Sequence, residues 1–143
     1  MCYMLYLSTD CAENLAARST DLIRFEKPDP RFPAPPALRH AHVWHIGSKS
    51  GCSCTFRHLC RGNKEFDFQE PQDWFPEEPD AIAATKQLYA VLAEIVGCDG
   101  QVDLADVWCG EENQTLQPRE VSLSQVPADR FRLFEGHLVA LTP

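Results

Sequence analysis

Read for its apolar and polar positions, the chain divides into short extended segments and one long helix. Cys2–Leu7 is almost wholly apolar and rich in strand formers. A short run without polar alternation predicts a central strand buried on both faces. Asp10 and Glu13 stand three apart in the manner of a capping box, which predicts a short helix over Cys11–Arg18. Leu22–Glu26 reads as a short strand. Pro28, Pro30, Pro33, Pro35 and Pro36 then fall within nine residues. That density excludes helix and central strand, and predicts a stiff surface connection inside one domain rather than a docking ligand.

His40–Ile46 and Cys52–His58 read as two strands joined by Gly47-Ser48-Lys49-Ser50-Gly51, a plausible hairpin loop. If Ile46 pairs with Cys52, one face carries His40, His42, Trp44, Ile46, Cys52, Cys54, Phe56 and His58. A slip of one residue brings His45 and Val43 to that face instead, and the register stays open. Arg61–Pro79 is a long irregular segment whose Phe66, Phe68, Trp74 and Phe75 are expected to pin it to the body, with a lid as the alternative.

Ile82, Thr85, Leu88, Tyr89, Leu92, Ile95 and Val96 recur at helical spacing and predict a helix over 80–96, started at Pro79 or Asp80 and stopped at Gly97. Val102–Cys109, Arg119–Leu123 and Phe131–Leu141 read as strands, the last bent at Gly136. Strands on both sides of a single helix predict an α+β fold. Its sheet is mainly antiparallel, the helix packs on one face, and residues 1–143 form a single domain.

Composition narrows the function classes. A chain of 143 residues can bury enough surface to fold without disulfides or metal. Lys and Arg against Asp and Glu give 13 − 21 = −8, which argues against nucleic-acid or anionic-membrane partners. The charge is uneven. Residues 30–64 carry six basic side chains and no acid, and 65–80 carry seven acids and no base. The two stretches read as solvated loops that attract each other, or as an electropositive pocket under an acidic cover. Seven cysteines cannot all pair within one chain. The first ten residues have no basic region of the signal-peptide kind, and no apolar run reaches membrane length. A reducing cytoplasm is the expected setting, where clustered cysteines point to metal or redox chemistry.

The stretch from His40 to Cys60 holds four of the five histidines and three of the seven cysteines. Cys52, Cys54, His58 and Cys60 are the candidate metal ligands, because thiolate and imidazole suit zinc or another transition metal. His40, His42, Trp44, His45 and Arg57 are the candidate pocket around them. The spacing C-x-C-x3-H-x-C conflicts with a strand, where alternate residues stand about 6.6 Å apart. Tetrahedral zinc asks for sulfurs about 4 Å apart. Cys52 and Cys54 can share an ion only if the chain turns at Gly51 or leaves strand geometry. Thiol redox chemistry at Cys52 and Cys54 is a second reading, with Lys49, Arg57 and His58 as groups able to favour a thiolate. The third is a non-catalytic interaction module, a homodimer among the options, with cysteines as small buried core residues. Cys2, Cys11, Cys98 and Cys109 are read as core. Glu135 and His137 would share a face of the last strand, read as a surface pair with acid–base work as the less favoured alternative, and Glu111 and Glu112 read as a solvated turn. No G-x-S-x-G, phosphate-binding glycine loop or H-E-x-x-H occurs, so no catalytic residue is assigned.

The MCYMLYLSTD start, the GCSCTF segment and the FRLFEGHLV ending resemble a group of small bacterial proteins of unknown function. These share a tyrosine-rich first strand and a G-C-x-C-x-F turn. The resemblance spans most of the chain and implies no reaction, substrate or catalytic residue. Ser53 stands between the two cysteines, where a glycine would make the turn looser.

Overall fold

The computed structural model describes residues 2–143, apart from the Lys64 side chain. Eight strands and one long helix follow in order. They are β1 Tyr3–Thr9, β2 Ile23–Glu26, β3 His42–Ser48, β4 His58–Leu59, α1 Pro79–Gly97, β5 Val102–Trp108, β6 Gln117–Ser122, β7 Leu133–Phe134 and β8 His137–Thr142. Six strands form one sheet in the order β2-β3-β1-β5-β8-β6. Its neighbours are antiparallel except β6 and β8, which run parallel. β4 and β7 make a separate two-residue parallel pair. The fold is α+β, with a mostly antiparallel sheet and a single long helix.

β1 occupies the middle because both of its faces are apolar. Leu5 and Leu7 pack with Leu88, Leu92 and Ile95 of α1. Met4 and Tyr6 point the other way, into a smaller cluster with Ala105, Val107 and Leu116. Phe32, Ala34 and Leu38 of the proline-rich stretch close that second cluster, and the Tyr6 hydroxyl donates to the Phe32 carbonyl at 2.8 Å. The prolines thus hold a rigid cover over the sheet face that the helix does not reach. Each large side chain buried this way stabilises the fold by roughly 1.5–3 kcal/mol.

Glu78 is the extended N-cap residue of α1 and Pro79 opens the helix, where its missing N–H costs nothing. Gly97 closes it, as the periodicity predicts. The predicted helix over 11–18 is a 3-10 turn at Leu15–Arg18, capped by the Asn14 side chain. Asp10 caps nothing there, because its carboxylate accepts from the Gln101 N–H across the fold.

The predicted hairpin is corrected. β3 spends one edge on β1 and the other on β2, so residues 52–57 have no edge of β3 to pair with. They form a run of turns instead, opened by Gly51 at a φ of 90°. A Cβ at Gly47 would come 2.9 Å from the Gly51 carbonyl oxygen, so the loop folds back onto a position that must stay small.

The basic and acidic stretches do meet. Lys49 reaches Asp80 at 3.2 Å, and Arg57 reaches Glu77 at 2.8 Å. The Arg57–Glu77 pair is buried, which corrects the reading of both stretches as solvated. Phe66 packs with Trp74 and Phe75, while Phe68 stacks on Phe131 and meets Phe134 edge-on, so the aromatics pin the acidic segment. Among the described residues no helix is long and apolar enough to cross a membrane.

Candidate three-cysteine site

The site forms where β3 leaves the sheet. β3 pairs with β1 only from Leu5 to Thr9, which frees the edge of β1 at Tyr3. The loop takes that edge over. The Ser53 N–H donates to the Tyr3 carbonyl at 3.1 Å, and the Tyr3 N–H points to Cys54 Sγ at 3.4 Å. Ser53 Oγ accepts from the Leu5 N–H at 2.8 Å and donates to the Ile46 carbonyl at 2.7 Å. Its buried hydroxyl therefore bridges β1 and β3. Ser48 Oγ donates to the Cys52 carbonyl at 2.6 Å and accepts from the Thr55 N–H at 3.0 Å, which closes the turn.

This turn does what an extended strand cannot. The sulfurs of Cys2, Cys52 and Cys54 all lie within 4.8 Å of one another. All seven cysteines are free thiols. The sequence condition for Cys52 and Cys54 to share an ion, a turn at Gly51, is met. The third sulfur is Cys2, just ahead of β1, read from sequence as a core residue. His58 and Cys60 stand outside this group.

The three thiols differ in their surroundings. Burial alone would raise Cys52, but the Ser50 hydroxyl, the Cys54 side chain and backbone, and Cys2 all stabilise its thiolate and hold it at about 7. Burial and the adjacent Cys52 push Cys54 up to about 12. Of the two, Cys52 is the thiol that loses its proton first.

His58 is a support for the loop. Its Nδ1 lies 2.7 Å from Asp106 Oδ2, and its Nε2 lies 2.6 Å from the Ser53 carbonyl oxygen. A carbonyl can only accept, so Nε2 carries a proton and both ring nitrogens are engaged. The Tyr3 ring stacks on the imidazole, centroids 3.9 Å apart, and on Trp108 at 4.3 Å. Burial opposes the charged imidazole, yet Asp106 and the Ser53 carbonyl outweigh it and raise its pKa. Burial raises the Asp106 carboxyl, against the opposing pull of His58.

Of the other predicted pocket residues, His40, His42 and Trp44 lie apart, while His45 and Arg57 border the cysteine turn and its cleft. His40 faces Asp103, 3.6 Å from Nε2 to Oδ2, at the opposite end of β5. His42 pairs with Thr9 at the start of β3. Trp44 is buried in the main core, with Lys27 Nζ 3.8 Å from its ring centroid. His45 lies on the other sheet face, tilted against Tyr6. Burial lowers its pKa, and its Nε2 is 3.5 Å from Ser53 Oγ. Arg57 is fully buried, with Nε and Nη2 on Glu77 and Nη1 on the Asp129 and Phe131 carbonyls. It supplies no open positive pocket, which corrects that expectation. Glu112 is buried, its carboxylate accepting from the Gly110 N–H at 2.9 Å, so only Glu111 of that turn is solvated.

Asp106 was missed in the sequence. Its signal is a carboxylate at the centre of an apolar strand, VDLADVW, where burial demands a partner. No family model matches the chain, and no curated protein and no solved structure matches it.

Proposed function

We propose that this is a small metal-binding protein whose ligands are the thiolates of Cys2, Cys52 and Cys54. The observation that carries the reading is the approach of three free sulfurs from two distant parts of the chain to within 4.8 Å. Thiolates select zinc, copper(I) and other soft or borderline ions. Small side-chain rotations would bring these sulfurs to the separations that zinc requires. No fourth cysteine, histidine or carboxylate among the described residues lies within that distance of all three, so a bound ion keeps a position for an outside ligand. A reducing compartment such as the cytoplasm suits such a site, because the thiols must stay free.

Elemental analysis of protein purified under reducing conditions tests this. The expected result is stoichiometric metal that is lost in Cys2→Ser, Cys52→Ser and Cys54→Ser and retained in Cys98→Ser. Cobalt(II) bound to the wild-type chain should give intense sulfur-to-metal charge-transfer absorption. Protein that neither carries metal nor takes up cobalt sinks the reading.

The unequal thiols favour one alternative, a thiol-based redox protein in which Cys52 is the nucleophile and Cys54 or Cys2 resolves it. That reading expects no metal, a Cys52 that reacts far faster than free cysteine, and a disulfide within the cluster after mild oxidation.

A further inference from the structure

Cys54 is the exposed member of the sulfur group, and it also lines a cleft of about 410 Å³. The cleft runs from Tyr3, Cys54 and His58 to Phe75, Glu77 and Glu78 at the start of α1. An outside ligand would therefore reach a metal on the three sulfurs from this side.

The walls select for charge. Among the described residues, four charged or ionisable groups other than thiols and phenol line the cleft: Arg57, His58, Glu77 and Glu78. Arg57 is fully buried and gives its donors to Glu77 and to two backbone carbonyls. Glu77 is in turn held by Arg57 and Arg132. His58 is hydrogen-bonded to Asp106 and to the Ser53 carbonyl. Among the described residues, the remaining accessible charge is the exposed Glu78 carboxylate. Three thiolates on a divalent ion add a further net negative charge at the inner end. The half-buried ring of Phe75 lines the same cleft.

We infer that this cleft binds a small cationic thiol, whose sulfur completes the coordination of a metal on Cys2, Cys52 and Cys54 and whose ammonium group lies toward Glu78. The inference rests on the metal reading above. On binding, the incoming thiol loses its proton to solvent and its sulfur takes the open position. No electron is transferred.

The experiment uses the full chain loaded with cobalt(II), in which the charge-transfer band is read before any thiol is added. Thiocholine, 2-mercaptoethanol and mercaptoacetate are then titrated as cationic, neutral and anionic probes of similar size. Thiocholine has a quaternary nitrogen and cannot chelate through it. The expected result is a stronger sulfur-to-cobalt band with cobalt retained on the protein. Thiocholine should bind about fivefold more tightly than 2-mercaptoethanol, the scale of one partly exposed charge pair, and mercaptoacetate most weakly. Glu78→Gln should erase the thiocholine advantage and leave 2-mercaptoethanol unchanged. Cobalt that loads normally but answers no thiol, or is stripped by all three, overturns the inference and leaves the metal site standing. Equal affinity for the three probes, or an advantage that survives Glu78→Gln, overturns the charge selection. Failure to load cobalt at all removes the metal reading and this inference together.

Discussion

The imidazole of His58 grips the carbonyl of Ser53, 2.6 Å from Nε2, and that carbonyl belongs to the peptide leading into Cys54. The other ring nitrogen is anchored on Asp106 in the central part of the sheet. Asp106, His58 and the Ser53 peptide therefore form a strut from β5 to the cysteine turn. The strut is polar and nearly dry, since both side chains are almost wholly buried. Its role is to position the loop that carries Cys52 and Cys54.

Removing the ring should leave a buried carboxylate without its partner. His58→Gln is expected to cost about 3–5 kcal/mol, the scale for breaking a buried pair. Urea denaturation measures it. The wild-type chain also has a characteristic pH response. His58 holds its proton more tightly folded than unfolded. Its contribution is complete below the unfolded value of about 6.5 and fades as pH rises through the folded value. Wild-type stability should therefore fall on the alkaline side of neutrality, and His58→Gln should show a flatter profile there. A wild-type profile already flat above neutrality would refute the strut.

Glu77 governs the acid side. Burial would raise its carboxyl, but hydrogen bonds from Arg57 and Arg132 and their charges outweigh this and lower it below the usual value of 4.5. The stability it contributes is present above that value and is lost as pH falls through the lower folded one. Glu77→Gln removes the charge that two buried guanidinium groups share, and is expected to destabilise by about 3–5 kcal/mol at neutral pH. The variant should also lose the steep acid limb of the wild-type stability curve. Thermal melts from pH 3 to 7 check both outcomes.

Alkylation should sort the thiols. In metal-free protein the modification rate of Cys52 by iodoacetamide should rise with a midpoint at about 7, while Cys54 stays protonated far above neutrality. Peptide mass mapping separates the two sites. Cys54→Ala takes away a side-chain donor to the Cys52 thiolate, so the Cys52 midpoint should move up. An unchanged midpoint would place the cause elsewhere in the loop.

The sequence shows the parts of this fold that depend on local periodicity. β1 is legible because a short apolar run with no alternation fits a strand covered on both faces, and α1 because its stripe is regular and bounded by Pro79 and Gly97. The bend at Gly136 is legible from glycine alone, and it adopts a φ of 73°. The cysteine turn is not legible as a turn. Two glycines around a polar centre fit a hairpin equally well, and the choice is made by β2, which occupies the edge of β3 that the hairpin would need. Cys2 was passed over for the same reason. Its partners are some fifty residues away, and nothing near it in the chain marks them. The charge-pattern reading found the contact between the two stretches but not its burial, because the groups that bond Arg57 there, the Leu133 N–H and the Phe131 carbonyl, lie more than seventy residues away.

Ser53 carries the most direct test of how the site is built. Its hydroxyl accepts from the Leu5 N–H and donates to the Ile46 carbonyl, and its own N–H and carbonyl bond Tyr3 and His58. A side chain without oxygen leaves two buried backbone groups unsatisfied, each costing about 1–3 kcal/mol. Ser53→Ala is therefore expected to destabilise by about 2–4 kcal/mol, below the plain sum because the small methyl lets neighbours relax. Ser53→Gly should cost more, since glycine also adds backbone freedom to the unfolded chain. The functional effect is separable from stability. With the bridge between β1 and β3 gone, Cys2 on one side and Cys52 and Cys54 on the other lose their common anchor. Cobalt affinity, measured where the variant is still fully folded, should fall at least tenfold. If Ser53→Ala binds cobalt as tightly as the wild type, the sulfurs are held together by something other than this serine.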